Sequence, residues 1–336
     1  MPRSSTLNRR DFLKAGLLTG GLAAAAGAAA RGLPAAQPPP LTPTPHEGHG
    51  DGSGPVGDVD LSLFDPSKFL ESFDTGTLST EGGRTVREWD VIAQNKDIEV
   101  APGIWFPAWT FNGQVPGPTF RCSAGDLLRF HFLNASPMPH TIHFHGFHPP
   151  QMDGVEPMVQ PGERFTYEFE AQPFGLHLYH CHVMPLKRHI HKGLYGAFII
   201  DPPGGRPPAK EMVMVMNAFD TNFDGENEVY AVNTVGFHYL KHPIPVRVGE
   251  PIRVYLVNLT EFDPINSFHL HASMYRLYRT GTQLDTFEFT DTVTMGQGER
   301  HVLEFTLDQP GQFMFHAHQS EFAELGWIGF FDARES

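Results

Sequence analysis

Histidine recurs in this sequence in pairs separated by a single residue. Five His-x-His pairs occur among 19 histidines in 336 residues, where random placement would give about one. Four of them stand at matching places in two halves of the chain: His143/His145 and His180/His182, then His269/His271 and His316/His318. Residues i and i+2 of a β-strand point to the same face, so each pair projects two imidazoles in one direction. The constraint is double: strands must carry the pairs, and the fold must be built twice. An early pair, a late pair and a Gly-containing apolar exit strand repeat in both halves, which reads as internal duplication.

The rest of the chain agrees with strands. From about Arg84, short β-rich runs alternate with turn residues: Thr85–Ile92, Asp126–Leu133, Arg164–Phe169 and Ala197–Ile200, then Glu211–Met216, Pro251–Leu256, Arg300–Phe305 and Gln312–Phe315. Regular spacing with Pro and Gly punctuation predicts an all-β chain of two Greek-key sandwiches. The Pro/Gly-rich stretch from Asp201 to Pro208 separates them, giving domains over 84–203 and 204–336. Residues 31–83 read as a Pro/Gly-rich linker, holding His46 and His49, and an N-terminal arm, with helical character over Leu61–Phe73.

Residues 1–30 carry Arg9-Arg10 followed by Phe12-Leu13-Lys14 and an Ala/Gly/Leu run, the pattern of a twin-arginine export signal. That run is too short and too rich in Ala and Gly for a stable membrane span. A periplasmic or secreted location follows as an expectation. The net charge of -14 argues against nucleic acid as a partner, because phosphate repels such a surface; it is compatible with an extracytoplasmic enzyme or with cationic substrates. Only Cys122 and Cys181 are present; with Cys181 engaged as a ligand, no disulfide can form within the chain.

Eight paired imidazoles are more than one ion can use and suit a metal cluster. The second informative feature is His180-Cys181-His182. Strand alternation sends the thiolate to the face opposite its neighbours, so sulfur can serve one metal while the flanking imidazoles serve another. Two histidines with a thiolate make the trigonal blue-copper arrangement; His140 and His189 supply them. Cys122 has no such context and reads as structural.

These motifs closely resemble those of the two-domain, laccase-like multicopper oxidases, relatives of the copper nitrite reductases. Phe111-Asn-Gly-Gln-Val-Pro-Gly-Pro118 is similar to the family's early strand and turn. His140-x-x-His143-x-His145-Gly146 resembles its N-terminal copper motif, and His180-Cys181-His182 with His189-x-x-x-Gly193-Leu194 its C-terminal one. The resemblance implies cupredoxin-like sandwiches and four coppers per chain. Type 1 copper would take His140, Cys181 and His189, and type 2 copper His143 and His269. The type 3 pair would take His145, His180, His182, His271, His316 and His318. The axial type 1 position falls on Leu194, which cannot coordinate; Met184 matches no family motif. In the second half Ala317 and Asn266 replace a cysteine and a histidine, so only the first domain should hold a blue copper. The resemblance also implies a homotrimer with each cluster shared between neighbouring chains.

The expected reaction is four one-electron oxidations of a phenol, an aromatic amine or a metal ion, coupled to reduction of dioxygen to water. Asp153, ten residues after His143, matches the family's acidic residue near type 2 copper; Glu321 is the second acidic candidate. Copper nitrite reductase, producing nitric oxide, is the rival enzyme. The Cys181-to-His189 spacing and Glu321-Phe-Ala-Glu-Leu-Gly326 resemble it, but His143 stands where its catalytic aspartate would be. An electron-transfer protein would leave eight histidines unexplained, and a copper-binding or resistance protein would need no ordered cluster and is usually richer in Met than the 11 scattered here.

Overall fold

A computed structural model describes residues Gly57–Glu335. The twin-arginine pair and His46/His49 lie outside them. A short helix, α1 (Pro66–Leu70), starts the described chain, with Asp65 Oδ1 accepting from the Ser67 N–H at 3.0 Å and Pro at its first position. Nine strands follow: β1 (Thr77–Glu81), β2 (Arg84–Ala101), β3 (Ile104–Phe111), β4 (Phe120–Ser123), β5 (Leu127–Asn134), β6 (His143–Phe144), β7 (Arg164–Glu170), β8 (Gly175–His180) and β9 (Tyr195–Asp201). They form two facing sheets, one ordered β1-β2-β5-β7 with β3 on β2, the other β4-β9-β8-β6. Helix α2 (Leu186–His191) lies between β8 and β9.

The second series is built alike. Its strands are β10 (Lys210–Phe219), β11 (Val229–Val232), β12 (Ile244–Arg247), β13 (Ile252–Asn258), β14 (Ile265–Leu270), β15 (Tyr275–Arg279), β16 (Glu288–Thr290), β17 (Thr292–Gly296), β18 (Arg300–Phe305), β19 (Gly311–His316) and β20 (Ile328–Arg334). One sheet runs β11-β10-β13-β18-β15-β16 and the other β12-β20-β19-β14-β17. Short helices α3 (His238–Lys241) and α4 (Ser320–Glu324) connect β11 to β12 and β19 to β20.

Three apolar clusters hold this together. One fills the first sandwich around Trp89, Phe130, Phe144 and Tyr179, and one fills the second around Met214, Phe268, Phe315 and Trp327. The third lies between sandwiches, where Leu176, Leu178, Ala197 and Ile199 meet Val213, Val215, Tyr255 and Val302. Strands β8, β9, β10 and β13 are therefore covered on both faces, and their sequences are continuous apolar runs rather than alternating ones. Parity sorts their side chains. Leu176 and Leu178 go to the seam while Tyr179 goes into the first sandwich, and Val213 and Val215 go to the seam while Met212, Met214 and Met216 go into the second.

Candidate metal centres

That parity sets the first centre. Cys181 shares the side of Tyr179 and lies wholly inside the first sandwich. The ladder itself ends at His180, two residues short of His182, where unbroken alternation across the motif would have to reach. Beyond it, the Cys181 N–H donates to the Leu194 carbonyl at 3.0 Å and the His182 N–H to Thr141 Oγ1 at 3.3 Å. His140 is fixed by paired backbone bonds with Val159 at 3.1 and 3.2 Å, and His189 comes from α2.

The three donors converge. Cys181 Sγ lies 3.6 Å from His140 Nδ1 and 3.2 Å from His189 Nδ1, and the two nitrogens are 3.1 Å apart. A trigonal ion with bonds of about 2.0 Å to nitrogen and about 2.3 Å to sulfur would space them about 3.5–3.7 Å apart. A slight outward rotation of the imidazoles meets that, so the donor set fits a soft ion. Burial, then the neighbouring His189, lowers His140 to about 3, and burial lowers His189 to about 4; both are neutral with lone pairs available at pH 7. Burial pushes the Cys181 thiol up to about 11, so the sulfur ionises only beside a cation.

Leu194 is fully buried and brings no donor atom, while Met184 is 76% exposed. Trp109 packs edgewise on both imidazoles, with centroids 5.4 Å from His140 and 4.9 Å from His189. Nothing in the sequence pattern had singled it out. In the second sandwich Ala317 occupies the cysteine's place, its N–H donating to Trp327 at 3.2 Å as Cys181 donates to Leu194. Asn266 there accepts from Trp327 Nε1 at 3.0 Å, so a hydrogen bond stands where a trio would be. Both cysteines are free thiols.

The other imidazoles form two quartets on equivalent strand pairs. His143 is opposite His180 where β6 pairs β8, and His269 is opposite His316 where β14 pairs β19. His145 Nε2 meets His180 Nε2 at 3.3 Å, as His271 Nε2 meets His316 Nε2 at 2.9 Å. His182 joins the first set 5.4 Å from His143, and His318 the second 5.4 Å from His269, between ring centroids. In each set three donor atoms lie within 4.8 Å of one another.

Backbone carbonyls turn the outer nitrogens. The Asp153 carbonyl accepts from His143 Nδ1 at 2.7 Å and the Asp291 carbonyl from His269 Nδ1 at 3.1 Å. The Cys181 and Ala317 carbonyls take His180 Nδ1 at 2.9 Å and His316 Nδ1 at 2.5 Å. Nε2 is then the free donor, the usual outer-shell arrangement for a metal-binding imidazole. Among the described residues, no ring contact or shared donor group links one quartet to the other.

Asp153 stands close in: its carboxylate is 3.2 Å from His143 Nδ1 and 3.6 Å from His148 Nε2. His148, three residues past His145, is an addition to the expected set. Glu321 is exposed on α4 and its charge is felt by Tyr230. No hydrogen bond or ion pair joins it to an imidazole among the described residues. Asp220, Asp224 and Glu228 also cluster, but loop N–H groups occupy the Asp220 oxygens.

Family models described as multicopper oxidase match residues 93–205 and 205–336. A solved multicopper oxidase is 52% identical, with a TM-score of 0.81, over 82% of this chain and 100% of that one. The chain belongs to the multicopper oxidase family. Blue copper oxidase from Nitrosomonas europaea is 28% identical, TM-score 0.67, over 74% of this multicopper oxidase and 86% of that chain. Copper-containing nitrite reductase of Neisseria meningitidis serogroup A is 29% identical over 244 residues, 66% of this chain. The match spans 63% of that relative's length. Membership implies copper, which the trio and the quartets suit by donor type. No helix among the described residues is long and apolar enough to cross a membrane.

Proposed function

We propose that this multicopper oxidase couples four one-electron oxidations of a small reductant to the reduction of dioxygen to water. The carrying observation is the pair of equivalent imidazole quartets, with a buried His2Cys trio joined to the first through adjacent peptide bonds. In this reading His140, Cys181 and His189 hold type 1 copper, and His143 and His269 hold type 2. His145, His180, His182, His271, His316 and His318 hold the type 3 pair, four ions in all. Copper bound there supplies one-electron redox chemistry at the trio and dioxygen reduction at the imidazoles.

The chain's own residues provide the rest. Cys181 is covalently continuous with His180 and His182, so the two centres are a few bonds apart. Leu194 brings no donor atom to the trio, which would favour a raised reduction potential for copper held there. Asp153 is positioned to hold a proton beside His143, and Glu321 is the second acid. The separation of the quartets within one chain supports a homotrimer in which one copy's first sandwich faces the next copy's second, a closed cyclic arrangement. The Arg9-Arg10 segment supports export by the twin-arginine route to the periplasm or beyond.

Nitrite reduction is the second reading, favoured by the Neisseria relative. Copper analysis with parallel assays separates the two. Four coppers per chain, oxygen uptake with a phenolic donor and no nitric oxide are expected. Two coppers per chain, with nitric oxide from nitrite and no oxygen uptake, would refute the oxidase reading.

A further inference from the structure

The chain is strongly acidic overall, yet the ground around the trio is not. Helix α2, which carries His189, also brings Lys187 and Arg188, and Lys192 caps it. None of these three makes an ion pair among the described residues. Elsewhere the basic residues are largely tied to carboxylates, as in Arg121 with Asp201 and Glu211, Arg129 with Glu81, and Arg253 with Glu304. On α2 the cations sit instead on aromatic faces. Lys187 Nζ is 4.1 Å from the Phe262 centroid, Arg188 Cζ 5.2 Å from that of Trp109, and Lys192 Nζ 4.6 Å from that of Phe106. A cation on a ring face is held in place while its N–H groups remain available.

Position gives this meaning. Trp109, beneath Arg188, is the ring that touches both His140 and His189. Lys187 and Arg188 are exposed and Lys192 is mostly buried, so the first two form the accessible part. Of the nearby carboxylates, Asp220 is engaged with the Asp224 and Gly225 N–H groups, Asp263 with Asn227 and Tyr230, and Glu261 with Gln297, while the charge of Asp97 acts on Lys192 rather than on the two exposed cations. Cations in a last turn also favour the helix dipole, but that role requires no aromatic seat and no placement over the trio.

We propose that Lys187 and Arg188 form a docking site for an anionic electron donor over Trp109. The substrate class is a small reductant bearing carboxylate or sulfonate charge, not a free metal cation. A local field of this kind raises encounter and occupancy even when the whole molecule has the opposite sign. What the bound anion then does rests on the oxidase reading above; whether it binds does not. With hexacyanoferrate(II) as donor, each anion loses one electron and leaves as hexacyanoferrate(III). Four such losses and four protons convert one dioxygen to two waters.

Two measurements test this on the full chain. First, redox-inert hexacyanocobaltate(III) is titrated calorimetrically into the metal-free protein at low salt. Binding is expected, weakened roughly tenfold or more in Lys187→Glu and Arg188→Glu, and unchanged in Arg276→Glu, which alters net charge equally at another ring-seated cation, on Phe287. Second, the copper-loaded proteins are assayed with hexacyanoferrate(II) and with cationic hexaammineruthenium(II). The α2 reversals should raise KM about tenfold for the anion, leave kcat unaltered and lower KM for the cation. Equal hexacyanocobaltate affinity in wild type and reversals, or none in wild type, overturns the proposal. Anion binding without oxygen uptake overturns the oxidase reading and leaves the anion site standing.

Discussion

The Cys181 thiol, which burial pushes up to about 11, is enclosed with two neutral imidazoles 3.2 and 3.6 Å away, a donor set that suits a bound cation. Replacing Cys181 by Ser keeps the volume and removes the soft donor. The variant is expected to lose the intense visible absorption and reduce turnover to background, as read by optical spectra and oxygen uptake; a fully blue, active variant would sink the trio's assignment. Asp153 stands beside His143. Asp153→Asn keeps the backbone carbonyl that orients His143 but removes the charge 3.2 Å from its ring. Turnover should fall about 10- to 100-fold, while the type 1 absorption at the separate trio persists.

At the scale of elements, both quartets depend on a short strand lying correctly against a longer one. Gly154 sits at φ +75°, and a Cβ there would lie 2.1 Å from the Ile142 carbonyl and 2.7 Å from the His143 nitrogen. Gly154→Ala must therefore displace β6. A loss of more than about 1 kcal/mol is expected in denaturant unfolding, together with reduced copper retention by the first quartet. Strand existence was largely legible: runs such as Arg164–Phe169 and Arg300–Phe305 carry their β character locally. The end of β8 at His180 was not, because a strand's end is set by where its pairing with neighbouring segments stops, and β6 and β9 both pair with it only as far as His180. Asp291 was equally invisible, since its contact with His269 Nδ1 is a carbonyl delivered from the bend between β16 and β17.

At the scale of the whole molecule, the seam between sandwiches carries one ionic network besides its apolar contacts. Glu211 accepts from Arg121, Arg253 and the Tyr255 hydroxyl. Burial alone would raise its carboxyl, but those donors prevail and hold it at about 2, against 4.5 unperturbed. A carboxylate with a depressed native pKa stabilises the fold above the unperturbed value and loses that contribution as pH falls from about 4.5 toward about 2. Glu211→Gln should cost about 1–3 kcal/mol at neutral pH and flatten the fall of Tm between pH 5 and 3, measured by thermal scans. Assembly belongs to this scale too. Because the quartets remain apart in one chain, mass measurement should find activity confined to a trimeric species; an active monomer would contradict the shared cluster.

Sequence alone determined the all-β class and singled out the paired histidines and the cysteine that the fold gathers into the trio and the quartets. Histidine spacing, strand alternation and the His-Cys-His order are local properties that survive without a third dimension. Tertiary structure decided which nitrogen of His143, His180, His269 and His316 is turned inward, that Trp109 covers the trio, and that the cations of α2 rest on rings from distant segments. Those outcomes depend on contacts between segments tens of residues apart, and no local pattern encodes a contact whose partner is chosen by packing.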